Sequence, residues 1–393
     1  MNKKITIAAG SFWPDIGGPS SYIKTIAPRL VDAGFSIDLI ARSKKKKYPE
    51  DSEIGWMIHR IKNLPGKPLN YLRYFLKLLK VAKNSMTIYA QGPVSSGCPA
   101  YLANKFLKKK FIVKITGDYA WEQFHVKNPN LDIVDVLDFQ NKKISGKFNI
   151  LRKIQMKVAQ AADKVIVPSR FLAKVVGYWG VKNENIKVVY NGTDFKPVQM
   201  EKEKARREIG ISGNVILSAG RLVPWKGFRM LIKVMPELLS NDQFVRLGIG
   251  GEGPEMENLK LMKNNLGLNG KVFLVGKKSQ KELKIYLAAA DIFVLNTAYE
   301  GFSHQILEAM ASGVPVITTN AGGNTELIKQ GENGFMVKYN DELNLIEAIK
   351  GVFDNKNIRE KFIKEGRKTA RKFTVKKMTD ETIEVFNSLV ENA

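Results

Sequence analysis

Short apolar runs alternate with helical patterns along nearly the whole of this 393-residue chain, and this alternation constrains the fold more than any other feature. Short apolar runs separated by helices are typical of parallel strands that are buried on both faces of a sheet. A polar, charged stretch, roughly residues 197–213, interrupts the alternation, which then restarts. The pattern predicts an α/β protein with two Rossmann-like, doubly wound domains that face a central cleft.

We place an N-terminal domain at residues 1–196 and a C-terminal domain at 197–373, and we expect a last helix, about 374–393, to join the first domain. The predicted strands are Ile5–Ala9, Ile37–Ala41, Thr87–Ala90, Phe111–Ile115, Val165–Pro168, Lys187–Tyr190, Val215–Ala219, Val245–Gly250, Lys271–Val275, Ile292–Leu295 and Val314–Thr318. The predicted helices include Tyr22–Ala33, Leu151–Ala161, Gly227–Leu239, Glu255–Leu266, Gln280–Ala289, Phe302–Ala311 and Thr374–Leu389.

The basic residues of the chain are concentrated in its N-terminal half. The formal net charge is +25, and residues 1–195 carry 33 Lys and Arg against 14 Asp and Glu, an excess of 19. Such an excess indicates an anionic partner or surface, although a solvated basic face is an equal alternative. A nucleic-acid partner is not expected, because no helix-turn-helix, zinc-finger or RNP pattern accompanies the charge.

The first loop with candidate binding residues is Gly10–Ser20, between the first predicted strand and the first helix. Ligands of open parallel sheets bind beyond the carboxyl ends of the strands, so the loops that follow strands are the informative ones. Gly17 and Gly18 have no side chains, so backbone amides there can approach an anion at the start of a helix. The alternative is a tight turn, and the segment does not match the dinucleotide pattern G-x-G-x-x-G.

The second such loop is Gly220–Gly227, after the first strand of the C-terminal domain. Arg221 offers a planar fork of donors and Lys226 a compact positive charge. Together they suit a diphosphate whose negative charge grows as it leaves. The alternative is two surface cations beside a turn.

The third loop runs from Glu300 into a helix. We expect the amides of Phe302, Ser303 and His304 to face a phosphate at the helix N-terminus. Glu308 lies about two turns further on, near the helix face of Gly301, where it can accept hydrogen bonds from ribose hydroxyls, and Glu300 can contact the sugar. The alternative is that both glutamates merely favour a helix N-terminus, which does not explain a carboxylate in the apolar run ILEAMA.

The fourth loop, Thr116–Glu122, follows the strand Phe111–Ile115. Asp118 is placed where a strand-end residue would face the cleft. An Asx-type turn is the structural alternative. The neighbouring segment 119–143 is aromatic and acidic, and we expect it to cover an acceptor or to form a surface excursion.

The combination of GRLVPWKG, EGFSHQILEAMASGVPVI and the paired glycines of the first loop resembles the retaining glycosyltransferases of the GT-B fold, the group that includes sucrose synthases and many bacterial lipopolysaccharide and lipid glycosyltransferases. Its most specific part is the pair of glutamates separated by seven residues. The resemblance extends over essentially the whole chain and includes Val167–Ser169, Tyr190–Asp194 and Gly250–Pro254.

This resemblance implies a role for each matching position. Glu308 is similar to the family's ribose-binding carboxylate, Glu300 to the glutamate that faces the donor sugar, and Arg221 with Lys226 to the diphosphate-binding pair. Gly17 and Gly18 match the loop that closes over the diphosphate. The implied donor-binding residues are Gly17, Gly18, Arg221, Lys226, Val275, Lys277, Glu300, Gly301, Phe302, Ser303, His304 and Glu308. Family members often carry His followed by Asp or Gly after the fourth strand. Here the string is Gly117-Asp118, without a histidine, and Asp118 is our candidate for the group that faces the far edge of the sugar.

We therefore predict a metal-independent glycosyltransferase that moves a hexose-type sugar from a nucleoside diphosphate to an acceptor hydroxyl, with Asp118, Arg221, Lys226 and Glu300 as catalytic residues. Retention at the anomeric carbon is implied by the resemblance. No cofactor and no metal are expected, because no D-x-D triplet occurs and the two cations would replace a metal. The alternatives are a GT-B phosphorylase or epimerase and an inactive sugar-nucleotide-binding protein.

The expected partners are a nucleotide-sugar donor, a glycan or lipid-linked acceptor of the cell envelope, and an anionic membrane surface. Segment 71–83 places apolar residues at helical spacing among Arg73, Lys77, Lys80 and Lys83. Such a helix more often packs on its own sheet, but it also suits the surface of an anionic membrane. We expect a cytoplasmic protein, with peripheral attachment to the inner face of the cell membrane as a further hypothesis.

Overall fold

The computed structural model describes residues 3–14 and 18–390, which form two compact units. The first unit comprises Met1–Phe124, Val136–Tyr190 and Val375–Ala393, and the second comprises His125–Asp135 and Asn191–Thr374. Each unit contains one parallel sheet covered by helices, so the predicted fold class of two Rossmann-like α/β domains is confirmed.

The sheet of the first unit has seven parallel strands in the order β3-β2-β1-β4-β5-β6-β7. These strands are β1 (Lys4–Ala9), β2 (Ser36–Ser43), β3 (Met57–Lys62), β4 (Thr87–Gln91), β5 (Lys110–Lys114), β6 (Lys164–Val167) and β7 (Ile186–Val188). The chain leaves β1 toward one edge and then returns to the other side at β4. The connections after β1 and after β4 therefore run in opposite directions, and the switch point of this sheet lies between these two strands.

The sheet of the second unit has six parallel strands in the order β10-β9-β8-β11-β12-β13. These strands are β8 (Asn214–Ala219), β9 (Val245–Gly250), β10 (Val272–Gly276), β11 (Ile292–Leu295), β12 (Val316–Thr319) and β13 (Phe335–Val337). Here the change of direction falls between β8 and β11. The carboxyl ends of these two strands are where an open α/β sheet binds ligands.

Helices connect the strands and cover both sheets. In chain order they are α1 (Gly18–Asp32), α2 (Lys67–Val81), α3 (Gly97–Leu107), α4 (Tyr119–Lys127), α5 (Val136–Asn141), α6 (Gly146–Gln160), α7 (Arg170–Tyr178), α8 (Lys202–Ile209), α9 (Phe228–Lys233), α10 (Met235–Asn241), α11 (Met256–Asn265), α12 (Gln280–Ala289), α13 (His304–Ser312), α14 (Glu342–Asp354), α15 (Lys356–Ala370) and α16 (Val375–Val390). Among the described residues, no helix combines the length and apolar composition needed to cross a bilayer.

The last helix, α16, packs into the core of the first unit. The ring of Phe386 lies edge-on to that of Tyr89, with 5.2 Å between their centroids, and Tyr22 in α1 hydrogen-bonds to Tyr89. Phe386 and Tyr89 have no exposed surface. Burial of apolar surface of this kind fixes α16 on the N-terminal sheet.

The structure differs from the predicted elements at several places, and it contains helices for which no bounds were predicted, among them α3, α7, α14 and α15. The edge strands β3 and β13 were not predicted, because β3 buries only Ile61 and β13 has three half-buried residues. The stretch 197–213, predicted as a polar link, contains helix α8. The single helix predicted at Gly227–Leu239 is two helices that meet at Val234, because Pro236 has no N–H to continue the first.

Candidate functional site

Two loops meet at the switch point of the second sheet. Segment Gly220–Gly227 follows β8, and segment Asn296–Ser303 lies between β11 and α13. The backbone N–H of Ala298 donates to the carbonyl of Trp225 at 2.8 Å, and the Thr297 hydroxyl donates to the same carbonyl at 3.1 Å. These bonds hold the two predicted binding loops side by side.

Gly227 makes this close approach sterically feasible. Its φ is +62°, a backbone conformation that residues with a side chain rarely adopt, and a Cβ there would lie 1.9 Å from the carbonyl oxygen of Asn296. Only glycine fits a left-handed conformation against another backbone segment. The glycine that ends the predicted motif GRLVPWKG therefore joins the β8 and β11 loops.

Lys226 and Glu300 form an ion pair across these loops. The lysine side chain is 12% exposed and the glutamate side chain 15% exposed, so both charges are largely removed from water. Two residues that the sequence placed separately, one against a diphosphate and one against a sugar, are thus in direct contact. Removal of either member would leave the other as an unpaired, largely buried charge, which destabilises a folded protein.

A pair of glycines after β12 supports the Glu300 loop from the other side. The N–H of Gly323 donates to the carbonyl of Glu300 at 2.9 Å, and a Cβ at Gly323 would lie 2.2 Å from the carbonyl oxygen of Gly301. A Cβ at Gly322 would likewise lie 2.1 Å from the Glu300 carbonyl oxygen. The sequence analysis missed these two residues, whose signal is a Gly-Gly pair just after a strand.

Helix α13 begins at His304, two residues later than predicted, because Ser303 is its N-cap. The Ser303 hydroxyl accepts from the N–H of Ile306 at 3.3 Å. The Phe302 ring is buried, with its centroid 5.2 Å from that of Phe373. Phe302 can therefore offer a ligand only its backbone, and an anion contact of its amide stays a prediction. The His304 side chain is half-buried.

Glu308 is a buried carboxylate in α13. Its Oε1 accepts a hydrogen bond from Gln280 Nε2 at 3.0 Å. Burial raises the pKa of Glu308 to about 7, against the opposing effects of the Gln280 hydrogen bond and the nearby Lys284 charge. The structure therefore gives α13 a carboxyl group that titrates near neutrality and is held by a side chain at the start of α12.

Gln280 links Glu308 to the segment of the predicted donor-binding residues Val275 and Lys277. Strand β10 ends at Gly276, with Val275 half-buried and Lys277 exposed, and Gln280 begins α12 only a few residues later. The sequence analysis missed Gln280 because its contact with Glu308 spans 28 residues. Arg221, the other predicted cation, is exposed in the loop after β8.

The loop after β9 packs against the Arg221 loop. The N–H of Leu222 donates to the carbonyl of Glu252 at 2.9 Å, and a Cβ at Gly253 would lie 2.2 Å from the carbonyl oxygen of Leu222. The N–H of Gly251 donates to the Gly276 carbonyl at 2.8 Å, which ties this loop to the end of β10. Four neighbouring strand ends thus share one continuous set of contacts.

In the first unit, Gly18 begins α1 after the switch-point strand β1. Gly17 lies outside the described residues. A Cβ at Gly10, in the same loop, would lie 3.0 Å from the hydroxyl of Ser95 after β4, so the loops that follow β1 and β4 are neighbours. Gly18 therefore lies at the end of the first sheet where ligands of such folds bind.

Asp118 does not present its carboxylate to open space, which corrects the expectation that it faces a ligand. The residue has no exposed surface, and its carboxylate accepts from the Trp121 N–H at 3.0 Å, from Gln155 at 2.7 Å and from Gln140 at 2.9 Å. Burial raises the pKa of Asp118, while these hydrogen bonds oppose the rise. In this structure it holds the start of α4 to α5 and α6.

Lys114, at the end of β5, is a buried amine that the sequence analysis did not single out. Its Nζ has no hydrogen-bond partner among the described residues and lies 4.0 Å from the centroid of the Tyr22 ring. Burial lowers the pKa of Lys114 to about 7. Contact with the ring face favours the charged form, whereas loss of water opposes it.

Among residues 3–14 and 18–390, no three His, Cys, Asp or Glu side chains cluster as metal ligands. The charged side chains of the second unit's site are Arg221, the ion-paired Lys226 and Glu300, and Glu308, whose carboxylate accepts a hydrogen bond from the neutral amide of Gln280. Lys226 and Glu300 lie at the carboxyl ends of β8 and β11, where open α/β sheets bind ligands, and charged groups of this kind suit a polar ligand with an anionic part.

Comparison with known proteins identifies the class. The family model "Glycosyltransferase Family 4" matches residues 16–196, and the model "Glycosyl transferases group 1" matches residues 199–369. The Anabaena protein HepE, solved in complex with UDP-glucose, has the same fold, with a TM-score of 0.80 and 21% identity over 98% of this chain and 99% of that chain. The chain therefore belongs to the GT-B glycosyltransferases of the family 4 type.

Two curated relatives are similar in sequence. The lipopolysaccharide core biosynthesis glycosyltransferase LpsE of Rhizobium meliloti is 30% identical over 227 residues, which cover 58% of this chain and 64% of LpsE, less than two thirds of that relative. A glycosyltransferase of Methanocaldococcus jannaschii is 26% identical over 385 residues, or 96% of each chain.

Proposed function

We propose that this chain transfers a hexose-type sugar from a nucleoside diphosphate to an acceptor hydroxyl, with retention at the anomeric carbon. The observation that carries the proposal is the ion pair of Lys226 and Glu300 at the switch point of the second sheet. It lies just before the N-cap of α13, where backbone amides favour an anion. Each member of the pair matches one half of such a donor, because a diphosphate is anionic and a sugar presents hydroxyl donors.

A donor would exchange the partners of this pair. The diphosphate oxygens attract Lys226 and the exposed Arg221, and Glu300 is then released to accept hydrogen bonds from sugar hydroxyls. As the bond between the anomeric carbon and the diphosphate breaks, negative charge grows on the leaving oxygen and the sugar becomes oxocarbenium-like. The cations stabilise that charge most strongly in the transition state, and a diphosphate oxygen takes the proton of the acceptor hydroxyl.

Glu308 would bind the ribose of the donor. Its pKa of about 7 means that burial opposes ionisation, and hydroxyl donors from a ribose would favour the ionised form. Gln280 orients the Glu308 carboxylate through its hydrogen bond. The segment of Val275 and Lys277, a few residues before Gln280, would contact the base of the donor.

We further propose that the reaction needs no metal, since Arg221 and Lys226 supply the positive charge that a metal would supply. A cell-envelope glycan or a lipid-linked sugar is the proposed acceptor, and the cytoplasm, where nucleotide sugars would be encountered, is the proposed compartment. The description of LpsE as a lipopolysaccharide core glycosyltransferase supports an envelope glycan. HepE was solved with UDP-glucose, which makes that donor the first to test.

The test is a donor panel of UDP-glucose, UDP-galactose, UDP-N-acetylglucosamine and GDP-mannose, each incubated with the protein and with or without EDTA. We expect release of nucleoside diphosphate from at least one donor, at a rate that EDTA leaves unchanged. The anomeric configuration of the transferred sugar, measured by NMR, tests retention. Binding of a donor without cleavage would identify a sugar-nucleotide-binding protein, and strict dependence on Mn²⁺ or Mg²⁺ would contradict the metal-free mechanism.

A further inference from the structure

Three helices of the first unit lie on the same face of its sheet. Helix α2 connects β3 to β4, α3 connects β4 to β5, and α6 precedes β6, so all three cross the sheet in the same direction. Right-handed crossovers in the same direction place their helices on the same face. Accordingly, α2 packs beside α3 and α3 beside α6.

These helices carry only positive formal charges. Helix α2 contains four Lys or Arg, α3 one and α6 four, and none of them contains Asp or Glu. The longer segment from Ile54 to Gly117 also contains no acidic residue. Within the part of the chain that the structure describes, Lys80, Lys105 and Lys153 form no ion pair, and all three are exposed. The positive charge of this face is therefore not neutralised by the protein.

The same face exposes large apolar side chains. In α2, Tyr74 and Leu78 face the core, and Leu69, Leu72 and Leu76 lie on the opposite, outward side, with Leu72 and Leu76 each 53% exposed. In α3, Phe106 is 73% exposed and its ring lies 6.1 Å from that of Phe75 in α2. Leu102 in α3 and Ile150 in α6 are also exposed. Apolar residues grouped in this way mark an interaction surface.

We propose that this α2–α3–α6 surface, formed by Leu69, Leu72, Leu76, Leu102, Phe106 and Ile150 with the surrounding lysines, binds peripherally to an anionic lipid bilayer. Lysines attract anionic headgroups, and leucine and phenylalanine side chains enter the boundary between headgroups and acyl chains. A second copy of this chain is a poor occupant, because it would oppose two surfaces of the same sign. A soluble polyanion would leave the apolar side chains unused.

The test is flotation of the purified protein with neutral phosphatidylcholine vesicles and with vesicles that also contain the anionic lipid phosphatidylglycerol. We expect binding to the anionic vesicles alone, and weaker binding as salt rises. The assay contains no nucleotide sugar, so its result is independent of the proposed transferase activity. Absence of binding to anionic vesicles at low salt would overturn the proposal.

Two double variants locate the binding surface. Leu72→Ser with Leu76→Ser removes the outward apolar pair, and Lys80→Glu with Lys105→Glu reverses two charges; each is expected to weaken vesicle binding about tenfold or more. The matched controls in the second unit are Leu261→Ser with Leu343→Ser and Lys361→Glu with Lys364→Glu, all at exposed positions. Equal losses in test and control variants, or none in either test variant, would place the lipid contact elsewhere and contradict the proposal.

Discussion

Lys226 and Glu300, which are 74 residues apart in sequence, form a largely buried ion pair between the loops that follow β8 and β11. The pair joins the two sequence motifs with the strongest family resemblance. In the absence of a donor, each charge neutralises the other, so neither is left alone at the carboxyl ends of the strands. This arrangement makes the pair a structural element as well as a candidate binding element.

A double-mutant cycle tests that dual role. Lys226→Met leaves the Glu300 charge without its partner, and Glu300→Gln does the same to Lys226, so each single variant should lose about 3 kcal/mol of the free energy of unfolding. The double variant removes both charges and should lose much less than the two single losses combined. Denaturant unfolding of the four proteins gives the coupling. Additive losses would show that the pair does not stabilise the loops.

Replacement of Glu308 tests the ribose site through its protonation. Hydroxyl donors favour the ionised carboxylate, so donor binding should lower its pKa from about 7 and release protons near neutral pH. Wild-type affinity should therefore fall as pH drops from 8 to 6. Glu308→Gln should lose about 1.5–3 kcal/mol of binding free energy at pH 8 and show no such dependence. Calorimetric titration in buffers of different ionisation enthalpy measures both effects; unchanged affinity in the folded variant would remove Glu308 from the site.

Replacement of the buried Lys114 by methionine should stabilise the protein by an amount that depends on pH. Its pKa in the folded protein, about 7, lies below its ordinary value of 10.5, so the buried charge costs most below pH 7 and the cost disappears as pH rises toward 10.5. Lys114→Met should raise the free energy of unfolding at pH 6, on the order of 3 kcal/mol, and by much less at pH 9.5. The exposed Lys364→Met is the control. A gain that is equal at both pH values would contradict this account.

Gly227→Ala tests the contact between the β8 and β11 loops. The added Cβ would collide with the Asn296 carbonyl, so the loops should separate and donor affinity should fall at least about tenfold. Gly267→Ala is a matched control, because Gly267 has nearly the same φ, +63°, and no atom within 4 Å of the added Cβ. Thermal unfolding and donor titration of both variants separate backbone strain from collision. Equal effects of the two substitutions would mean that strain alone is responsible.

The strands that were predicted correctly are those with buried, apolar side chains on both faces. Strands β8, β9 and β11 are of this kind. Helix α12 was predicted with its observed bounds, and in the structure Ser279 and Glu282 form a capping box at its start. Strand β3 was missed because an edge strand with one solvated face resembles a polar loop in sequence. Local pattern thus predicted the central sheet better than its edges.

The contacts of the site were less predictable than its residues. The segments that carry Lys226, Glu300 and Glu308 were singled out from motif and position. The bond from Gln280 to Glu308 and the Lys226–Glu300 pair depend instead on how segments distant in sequence approach each other. Asp118 was placed toward a ligand from its position after a strand, but its carboxylate accepts hydrogen bonds from Gln140 and Gln155, more than 20 residues away. Such long-range partners leave no local pattern in the sequence.

The central claim is that the cations after β8 act on a departing diphosphate in the second unit. The most direct measurement is the steady-state rate of nucleoside diphosphate release by the wild type and by Arg221→Ala with Lys226→Ala, using the donor that the panel identifies and protein shown to be folded. We predict that kcat falls about 100-fold or more while KM changes less than about tenfold, because the cations bind the transition state more strongly than the ground state. Diphosphate release at the wild-type rate by the folded double variant would contradict the claim.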